Sequence, residues 1–339
     1  MSLVPMRQIL DEAAKGGYGV GAFNVNNMEQ IQAIMAAAEE VQSPVIVQAS
    51  RGALKYSQLN YLRHLMLAAV ELHPKIPVAM HLDHGNCLAT CLLAIELGFT
   101  SVMMDGSLDE GGKKPRSYED NVCVTRKVVE IAHAYGVTVE GELGCLGGIE
   151  DGHGAGFSEE EAKKFLTNPD QAEEFAANTG VDALAVAIGT SHGAYKFRRP
   201  PTGAVLRMDV IAEIHAKLPG CHLVMHGSSE VSESLQDTVR MYGGYLKPTF
   251  GVPVAEVQQG IKHGVRKVNI DTDSRLAMTG AARKLFVCEP AKFDPREWLA
   301  PARDAMQAVV QSRIIAFGST GHAFDYSPIT LEDAKALYK

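Results

Sequence analysis

The feature that most constrains the fold of this sequence is an alternation, repeated eight times, of short apolar runs with longer amphipathic segments. Each run is rich in Val, Ile, Met and Ala, a composition typical of strands buried in a parallel sheet. The predicted strands cover residues 19–25, 44–50, 77–83, 101–107, 137–144, 183–189, 222–229 and 265–272. A strand followed by a helix, eight times over, predicts parallel strands with crossover helices that close into a (β/α)8 TIM barrel.

The segments between the predicted strands have helical periodicity. One of them places four apolar residues at the i, i+3, i+4, i+7 spacing of a single helix face: Ile31, Ile34, Met35 and Ala38. Another amphipathic helix, over 293–316, follows the last strand, and we expect it to pack outside the barrel or against a second subunit. We therefore predict one domain over residues 1–339, with the barrel at about 19–287 and a C-terminal helical extension at about 288–339.

An open doubly wound sheet is the alternative architecture. That fold would carry a glycine-rich nucleotide-binding fingerprint directly after its first strand. Here the glycines at positions 17, 19 and 21 lie at the start of the first predicted strand, and no GxxxxGK[ST] motif occurs. The glycine pattern gives this alternative little support.

The composition of the chain indicates which kinds of binding partner can be excluded. The formal net charge of −8 argues against a basic face built for nucleic acid. The six cysteines include no CxxC pair, which indicates free thiols in a reducing compartment. No secretory signal is visible, and no apolar run approaches the roughly 20 residues of a membrane span. We expect a cytoplasmic protein that binds neither nucleic acid nor membrane.

Polar side chains stand at the carboxyl end of nearly every predicted strand. In a barrel these ends meet at one rim, where the chemistry of such enzymes is located. Strand ends are also polar simply because loops begin there, but that explains three histidines and four carboxylates at matching positions poorly. In chain order the residues are Asn24, Ser50, Asp83 with His84, Asp105, Glu142, His192, His226, and Asn269 with Asp271.

Three of these residues are candidate metal ligands. His84, His192 and His226 come from different predicted strands, and each is followed directly by glycine. A single histidine is most often a hydrogen-bonded structural residue, whereas three imidazoles at matching rim positions are the ligand set of a catalytic zinc site. We interpret Asp83, beside His84, as the group that moves a proton.

Two more carboxylates have open roles. Asp105 and Glu142 end the fourth and fifth predicted strands. They could hold a second divalent metal ion or fix the tautomer of a ligand histidine. A helix-capping or salt-bridged acid is the structural alternative.

The segments HGSS and NIDTD follow the seventh and eighth predicted strands, where TIM barrels commonly bind phosphate. Ser228, Ser229 and Thr272 are suited to that, and Gly193 and Gly227 would let the backbone approach a ligand closely. Each turn taken alone is ordinary loop sequence.

In combination, the motifs resemble the class II, metal-dependent fructose-bisphosphate aldolases. HLDHG, VMMDGS, VEGELGCLGGIEDG, AIGTSHGAYK, HGSS and KVNIDTD occur in that family's order between about Gly19 and Asp273. The segment before Gly251 resembles the long IIB subgroup, which includes aldolases of carbon-fixation operons. Glu230 departs from the pattern, since many relatives have glycine there.

The resemblance implies an aldehyde-lyase that reversibly cleaves fructose 1,6-bisphosphate to dihydroxyacetone phosphate and glyceraldehyde 3-phosphate in glycolysis, gluconeogenesis or the Calvin cycle. It implies a catalytic Zn²⁺ on the three histidines, acid/base roles for Asp83 at C4 and Glu150 at C3, and a possible Na⁺ or K⁺ near the phosphate. It further implies a homodimer or homotetramer. The implied or predicted substrate contacts are Asn24, Ser50, Gly193, Gly227, Ser228, Ser229, Asn269, Ile270, Asp271 and Thr272.

The chemistry of the residues agrees with that resemblance. Retro-aldol cleavage needs an electron sink, either a lysine Schiff base or a Lewis-acidic metal, and no predicted strand ends in a suitable lysine. Tagatose-bisphosphate aldolase, which differs at one stereocentre, and a metal-dependent phosphosugar isomerase or epimerase remain alternatives. A non-catalytic sugar-phosphate-binding protein would need neither Asp83 nor Glu150.

Overall fold

The computed structural model describes residues 2–112, 114–144, 147–148, 166–193, 195–197, 199–201 and 206–339. Eight strands form the central sheet: β1 Val20–Asn24, β2 Val45–Ser50, β3 Val78–Gly85, β4 Ser101–Met104, β5 Thr138–Leu143, β6 Ala183–Val186, β7 His222–Met225 and β8 Val265–Ile270. They are parallel and close a barrel in the order β1-β8-β7-β6-β5-β4-β3-β2, which confirms the predicted fold. Seven lie inside their predicted ranges, and β3 continues two residues past its predicted end.

Helices connect the strands and surround the barrel. Their boundaries are α1 Met6–Gly16, α2 Met28–Glu40, α3 Arg51–Ser57, α4 Leu59–Leu72, α5 Leu88–Glu96, α6 Tyr118–Ala134, α7 Pro169–Thr179, α8 Met208–Lys217, α9 Glu233–Met241, α10 Val254–Lys262, α11 Thr272–Cys288, α12 Pro295–Phe317 and α13 Leu331–Ala334. In the part of the chain that the structure describes, no helix is both long and apolar enough to cross a membrane.

The amino-terminal half of the barrel interior is apolar. Small or flexible side chains such as Ala22, Ala79 and Met103 point inward and are fully buried. Helix α1 closes that end of the barrel, where Ile9 and Leu10 pack against the same cluster. The polar inward-facing residues are therefore concentrated toward the carboxyl ends of the strands.

The predicted C-terminal helix is α12, and it packs on the outside of the barrel. Asp294 caps it by accepting a hydrogen bond from the backbone N–H of Arg296, and Gly318 ends it at a φ of +84°. Its apolar face packs against α2 and α11, and Val310 and Ile314 join the hydrophobic cluster around the barrel. The single domain of barrel plus extension stays a prediction, which this packing supports.

Candidate active site

Two adjacent residues at the end of β3 reach the rim because the strand is irregular there. In a regular strand successive side chains point to opposite faces, so Asp83 and His84 would not share one. The pairing of β3 with β4 shifts register between Leu82 and Gly85, and His84 has a φ of +51°. Such a bulge re-aims a side chain, at a strain of order 1–3 kcal/mol for the left-handed residue. The irregularity brings a carboxylate and an imidazole to the same edge.

The three histidines predicted as metal ligands meet at this edge. Their candidate ligand nitrogens all lie within 4.8 Å of one another. Ring centroids are 4.8 Å apart for His84 and His192, 4.8 Å for His84 and His226, and 5.7 Å for His192 and His226. His192 is placed by a two-residue strand, 191–192, that pairs with residues 147–148. Three nitrogen donors around one point fit a zinc ion with an open coordination position.

Two carboxylates flank His84. Its Nδ1 donates a hydrogen bond of 3.0 Å to Asp105 Oδ2, which leaves Nε2 facing the other histidines. Glu142 Oε2 lies 3.8 Å from the same Nδ1. Burial alone would raise the pKa of Asp105, but hydrogen bonds from His84 and Ser107 lower it to about 2. Burial and the nearby Asp105 raise the pKa of Glu142 well above its ordinary value.

These two carboxylates and His84 also form a second group of potential ligands. Their donor atoms lie within 4.8 Å of one another. Both roles considered for Asp105, orienting a ligand histidine and binding a second ion, are therefore compatible with its position.

Three side-chain amides hold the Asp83 carboxylate. Its Oδ2 accepts hydrogen bonds from Asn24 and Gln48, both at 3.1 Å, and its Oδ1 accepts one from Asn269 at 3.3 Å. Asp83 is 1% exposed. Amide donors fix the orientation of a buried carboxylate without neutralising it by an ion pair, so the oxygen atoms stay available to take a proton.

Sequence reasoning missed three buried polar residues of this site. Gln48, Glu140 and Lys267 are each fully buried inside a strand rather than at its end. A signal was present, because each stands two residues before a predicted site residue and so shares its inward face. Glu140 contacts His226 and Lys267 contacts Asn269, at 2.8 Å in both cases.

A small polar cleft lies beside the histidines, and most of the predicted phosphate residues line it. Gly227 has a φ of +63°, and a Cβ atom there would lie 2.5 Å from the carbonyl oxygen of Ser191. Ser229 Oγ accepts a 3.3 Å hydrogen bond from the backbone N–H of Asp271. The described lining residues are Asn24, His192, Gly193, Lys196, Gly227, Ser229, Asn269, Asp271 and Thr272.

The side chains of three other predicted contacts do not line this cleft. Ser50 caps α3 by accepting a hydrogen bond from the backbone N–H of Ala53. Ser228 donates to the carbonyl oxygen of Met225, and Ile270 is part of the hydrophobic core. Glu150, with most of its glycine-rich loop, lies outside the described residues.

A closed parallel barrel whose rim carries converging histidines beside a buried carboxylate defines the general class as a barrel enzyme with a candidate metal centre. Comparison with known proteins gives the family. Residues 4–322 match the family model described as "Fructose-bisphosphate aldolase class-II". The chain belongs to this family of metal-dependent aldolases that act on sugar phosphates, which confirms the resemblance noted in the sequence.

Similar individual proteins support the same family assignment. A fructose-bisphosphate aldolase of Nostoc commune is 58% identical over 345 residues, covering 100% of this chain and 96% of that protein. A plasmid-encoded fructose-bisphosphate aldolase of Cupriavidus necator is 56% identical over 346 residues, covering both chains completely. Among solved structures, the YdjI aldolase of Escherichia coli K12 matches with a TM-score of 0.74 and 26% identity over 95% of this chain and 99% of that one.

Proposed function

We propose that this protein cleaves fructose 1,6-bisphosphate reversibly to dihydroxyacetone phosphate and glyceraldehyde 3-phosphate. The observation that carries the proposal is the meeting of His84, His192 and His226 beside the buried Asp83 carboxylate. Family membership supports the reaction type, and the curated relatives are named for this substrate.

In this proposal His84, His192 and His226 hold a divalent metal ion, and three neutral imidazoles favour zinc among the candidates. Bound there, such an ion would supply Lewis-acid chemistry at the ketone oxygen of the substrate, which is the electron sink that C3–C4 cleavage needs. Burial, His84 and Lys267 lower the pKa of His226, which keeps its ring in the neutral form that a ligand needs.

Asp83 acts as the acid/base at the C4 hydroxyl. It takes the hydroxyl proton as the C3–C4 bond breaks and returns it in the aldol direction. The amide groups of Asn24, Gln48 and Asn269 orient its carboxylate for that transfer. Asn269 Nδ2 also faces the histidines, where it can donate to an enediolate oxygen.

The polar cleft binds a substrate phosphate. Backbone N–H groups at Gly193 and Gly227 and at the start of α11 around Thr272 are suited to an anion, and Ser229 adds a hydroxyl group. The proposed contacts that do not line the cleft with their side chains, Ser50, Ser228 and Ile270, would act through other surfaces or through the backbone. Glu150 is proposed to handle the C3 proton of dihydroxyacetone phosphate, from the sequence resemblance alone.

Further ions and assembly complete the proposal. Asp105 and Glu142 would supply the carboxylates of a second divalent site beside His84, since their donor atoms cluster there. A monovalent cation near the phosphate, a homodimer or homotetramer, and action in the cytoplasm in glycolysis, gluconeogenesis or the Calvin cycle stay predictions from the sequence.

The experiment that tests the proposal compares two substrates. Purified protein with added zinc is given fructose 1,6-bisphosphate or tagatose 1,6-bisphosphate, and triose phosphate is detected by a coupled assay. We expect a higher kcat/KM with the fructose compound. Faster cleavage of the tagatose compound would show that tagatose 1,6-bisphosphate is the preferred substrate. The absence of triose phosphate from both reactions would refute the aldolase activity.

A further inference from the structure

An ion pair lies inside the barrel, one layer below the histidines. Lys267 Nζ on β8 is 2.9 Å from Glu140 Oε2 on β5, and neither side chain has any exposed surface. The two strands are not neighbours in the barrel, so the pair spans its interior. Desolvation makes such a pair a poor source of stability compared with apolar packing. The other contacts of Glu140 and Lys267 therefore indicate what the ion pair does.

Glu140 determines which nitrogen of His226 carries the proton. The other carboxylate oxygen, Oε1, lies 2.8 Å from His226 Nε2. An ionised carboxylate can only accept a hydrogen bond, so Nε2 carries the hydrogen and Nδ1 carries the lone pair. Nδ1 is the atom that faces His84 Nε2 at 3.1 Å. Glu140 thus presents the correct nitrogen of His226 to the centre of the site.

Lys267 determines which way the Asn269 amide points. Its ammonium group donates a 2.8 Å hydrogen bond to Asn269 Oδ1. An ammonium can only donate, so the amide oxygen is held toward the barrel interior and Nδ2 toward the rim. There Nδ2 lies 3.3 Å from Asp83 Oδ1. A flipped amide would bring its oxygen against the Asp83 carboxylate.

We propose that Glu140 and Lys267 form one positioning pair that couples the tautomer of a metal-binding histidine to the orientation of the substrate-facing amide. Glu140 serves the metal side, Lys267 serves the proton-transfer side, and each neutralises the other's buried charge. The inference rests on the proposed role of His226 as a metal ligand.

The two roles predict different losses in two variants. In Glu140→Gln one carboxamide oxygen must satisfy both the His226 N–H and the Lys267 ammonium, so one contact is lost. We expect the dissociation constant for zinc or cobalt, measured by chelator competition, to rise about 10–100-fold. In Lys267→Met the Asn269 amide is released, and we expect kcat at saturating metal to fall at least tenfold, with a smaller change in metal affinity.

The double variant Glu140→Gln/Lys267→Met guards against loss of folding in the single variants. It removes both buried charges together and leaves the glutamine oxygen free to accept from His226. We expect metal affinity to recover toward the wild-type value while kcat stays low. A purely structural role for the pair predicts that kcat and affinity recover together, and that result would overturn the proposal.

Asp182→Asn is the matched control. Asp182 is a fully buried carboxylate paired with Arg7 at 2.7 Å, and it contacts none of the histidines proposed as ligands. We expect this variant to lower thermal stability without changing the metal dissociation constant. An equal loss of metal affinity in Asp182→Asn and Glu140→Gln would mean that general destabilisation explains both, which overturns the proposal.

His226→Ala separates failure of the pair from failure of the ligand assignment. If folded Glu140→Gln binds metal like wild type while His226→Ala does not, only the role of Glu140 is refuted. If both bind metal like wild type, the ligand assignment of His226 is wrong, and the positioning proposal falls with it.

Discussion

His226 Nδ1 lies 3.1 Å from His84 Nε2. Two nitrogens bound to one tetrahedral zinc ion at about 2.0–2.1 Å would be roughly 3.3 Å apart, so this spacing needs little adjustment on metal binding. The two rings come from opposite parts of the barrel. Asp105 orients one of them and Glu140 the other, each through the nitrogen that faces away from the site.

Mutations at the adjacent residues Asp83 and His84 should affect proton transfer and metal binding separately. We expect Asp83→Ala to lower kcat by about 10²–10⁴-fold, the range for a general acid/base, while metal content stays near the wild-type value. His84→Ala should lose metal and activity together. Metal analysis and steady-state kinetics check this, and metal loss in Asp83→Ala equal to that in His84→Ala would make Asp83 a ligand.

Metal affinity should increase with pH. Burial alone lowers the pKa of His84, but Asp83, Asp105 and Glu142 raise it well above its ordinary 6.5 in the metal-free protein. A bound ion needs the neutral ring, so binding releases a proton when the pH lies between 6.5 and the raised pKa, and the apparent affinity should rise about tenfold per pH unit there.

Chelator competition across this pH range measures the slope. Asp105→Asn removes a carboxylate that raises the pKa of His84, so its slope should flatten at lower pH. Asp209→Asn, which changes an exposed acid paired with Arg207, is the control and should leave the slope unchanged. A slope that is the same in all three proteins would exclude His84 as the source of the proton.

Gly227 should not tolerate a side chain. Both Gly227 and Gly243 have positive φ, so alanine at either position should cost about 1–2 kcal/mol of backbone strain. At Gly227 the new Cβ would also lie 2.5 Å from the Ser191 carbonyl, beside His192, whereas at Gly243 nothing lies within 4 Å. Gly227→Ala should therefore raise KM and weaken metal binding beyond any effect of Gly243→Ala. Equal KM values in the two variants would refute the cleft as the phosphate site.

The C-terminal helix should support the proposed phosphate-binding cleft through Arg313. This buried arginine contacts Asp273 at 3.1 Å and Glu230 at 2.7 Å, and Asp273 accepts hydrogen bonds from the backbone N–H groups of Glu230 and Val231. Arg313→Met would leave Asp273 buried without its cation, so we expect a loss of about 3 kcal/mol in the free energy of unfolding and a higher KM.

Arg303→Met is the control on the same helix, because Arg303 pairs only with the exposed Asp304 among the contacts described. Chemical denaturation of both variants gives the free energies of unfolding, and steady-state kinetics gives the KM values to compare. A wild-type KM in folded Arg313→Met would show that the helix has no part in shaping the cleft.

The barrel was predictable because its signal repeats along the chain. Strands such as β2 and β6 stand out as apolar runs, and parallel pairing sends the polar residues that follow them to one rim. Asp83 and His226 lie at or just past strand ends and were therefore predictable as rim residues, whereas Gln48 lies inside β2 and was not.

The site contacts that could not be predicted are those between residues far apart in the sequence. Glu140 and Lys267 lie 127 positions apart on separate strands, and nothing in the sequence links them until the closed barrel brings their side chains within 2.9 Å. Glu230 departs from the family pattern in the sequence, and its ion pair with Arg313, 83 positions away, appears only in the fold. The bulge at His84 is likewise a property of the pairing between β3 and β4.

The most direct test of the metal-dependent aldolase is fructose 1,6-bisphosphate cleavage, coupled to triose phosphate detection, before and after exhaustive chelation and after zinc is added back. Activity that disappears on chelation and returns with zinc is the expected result, and in His84→Ala the added zinc should restore little of it. Activity that survives complete metal removal would contradict a catalytic ion on the three histidines.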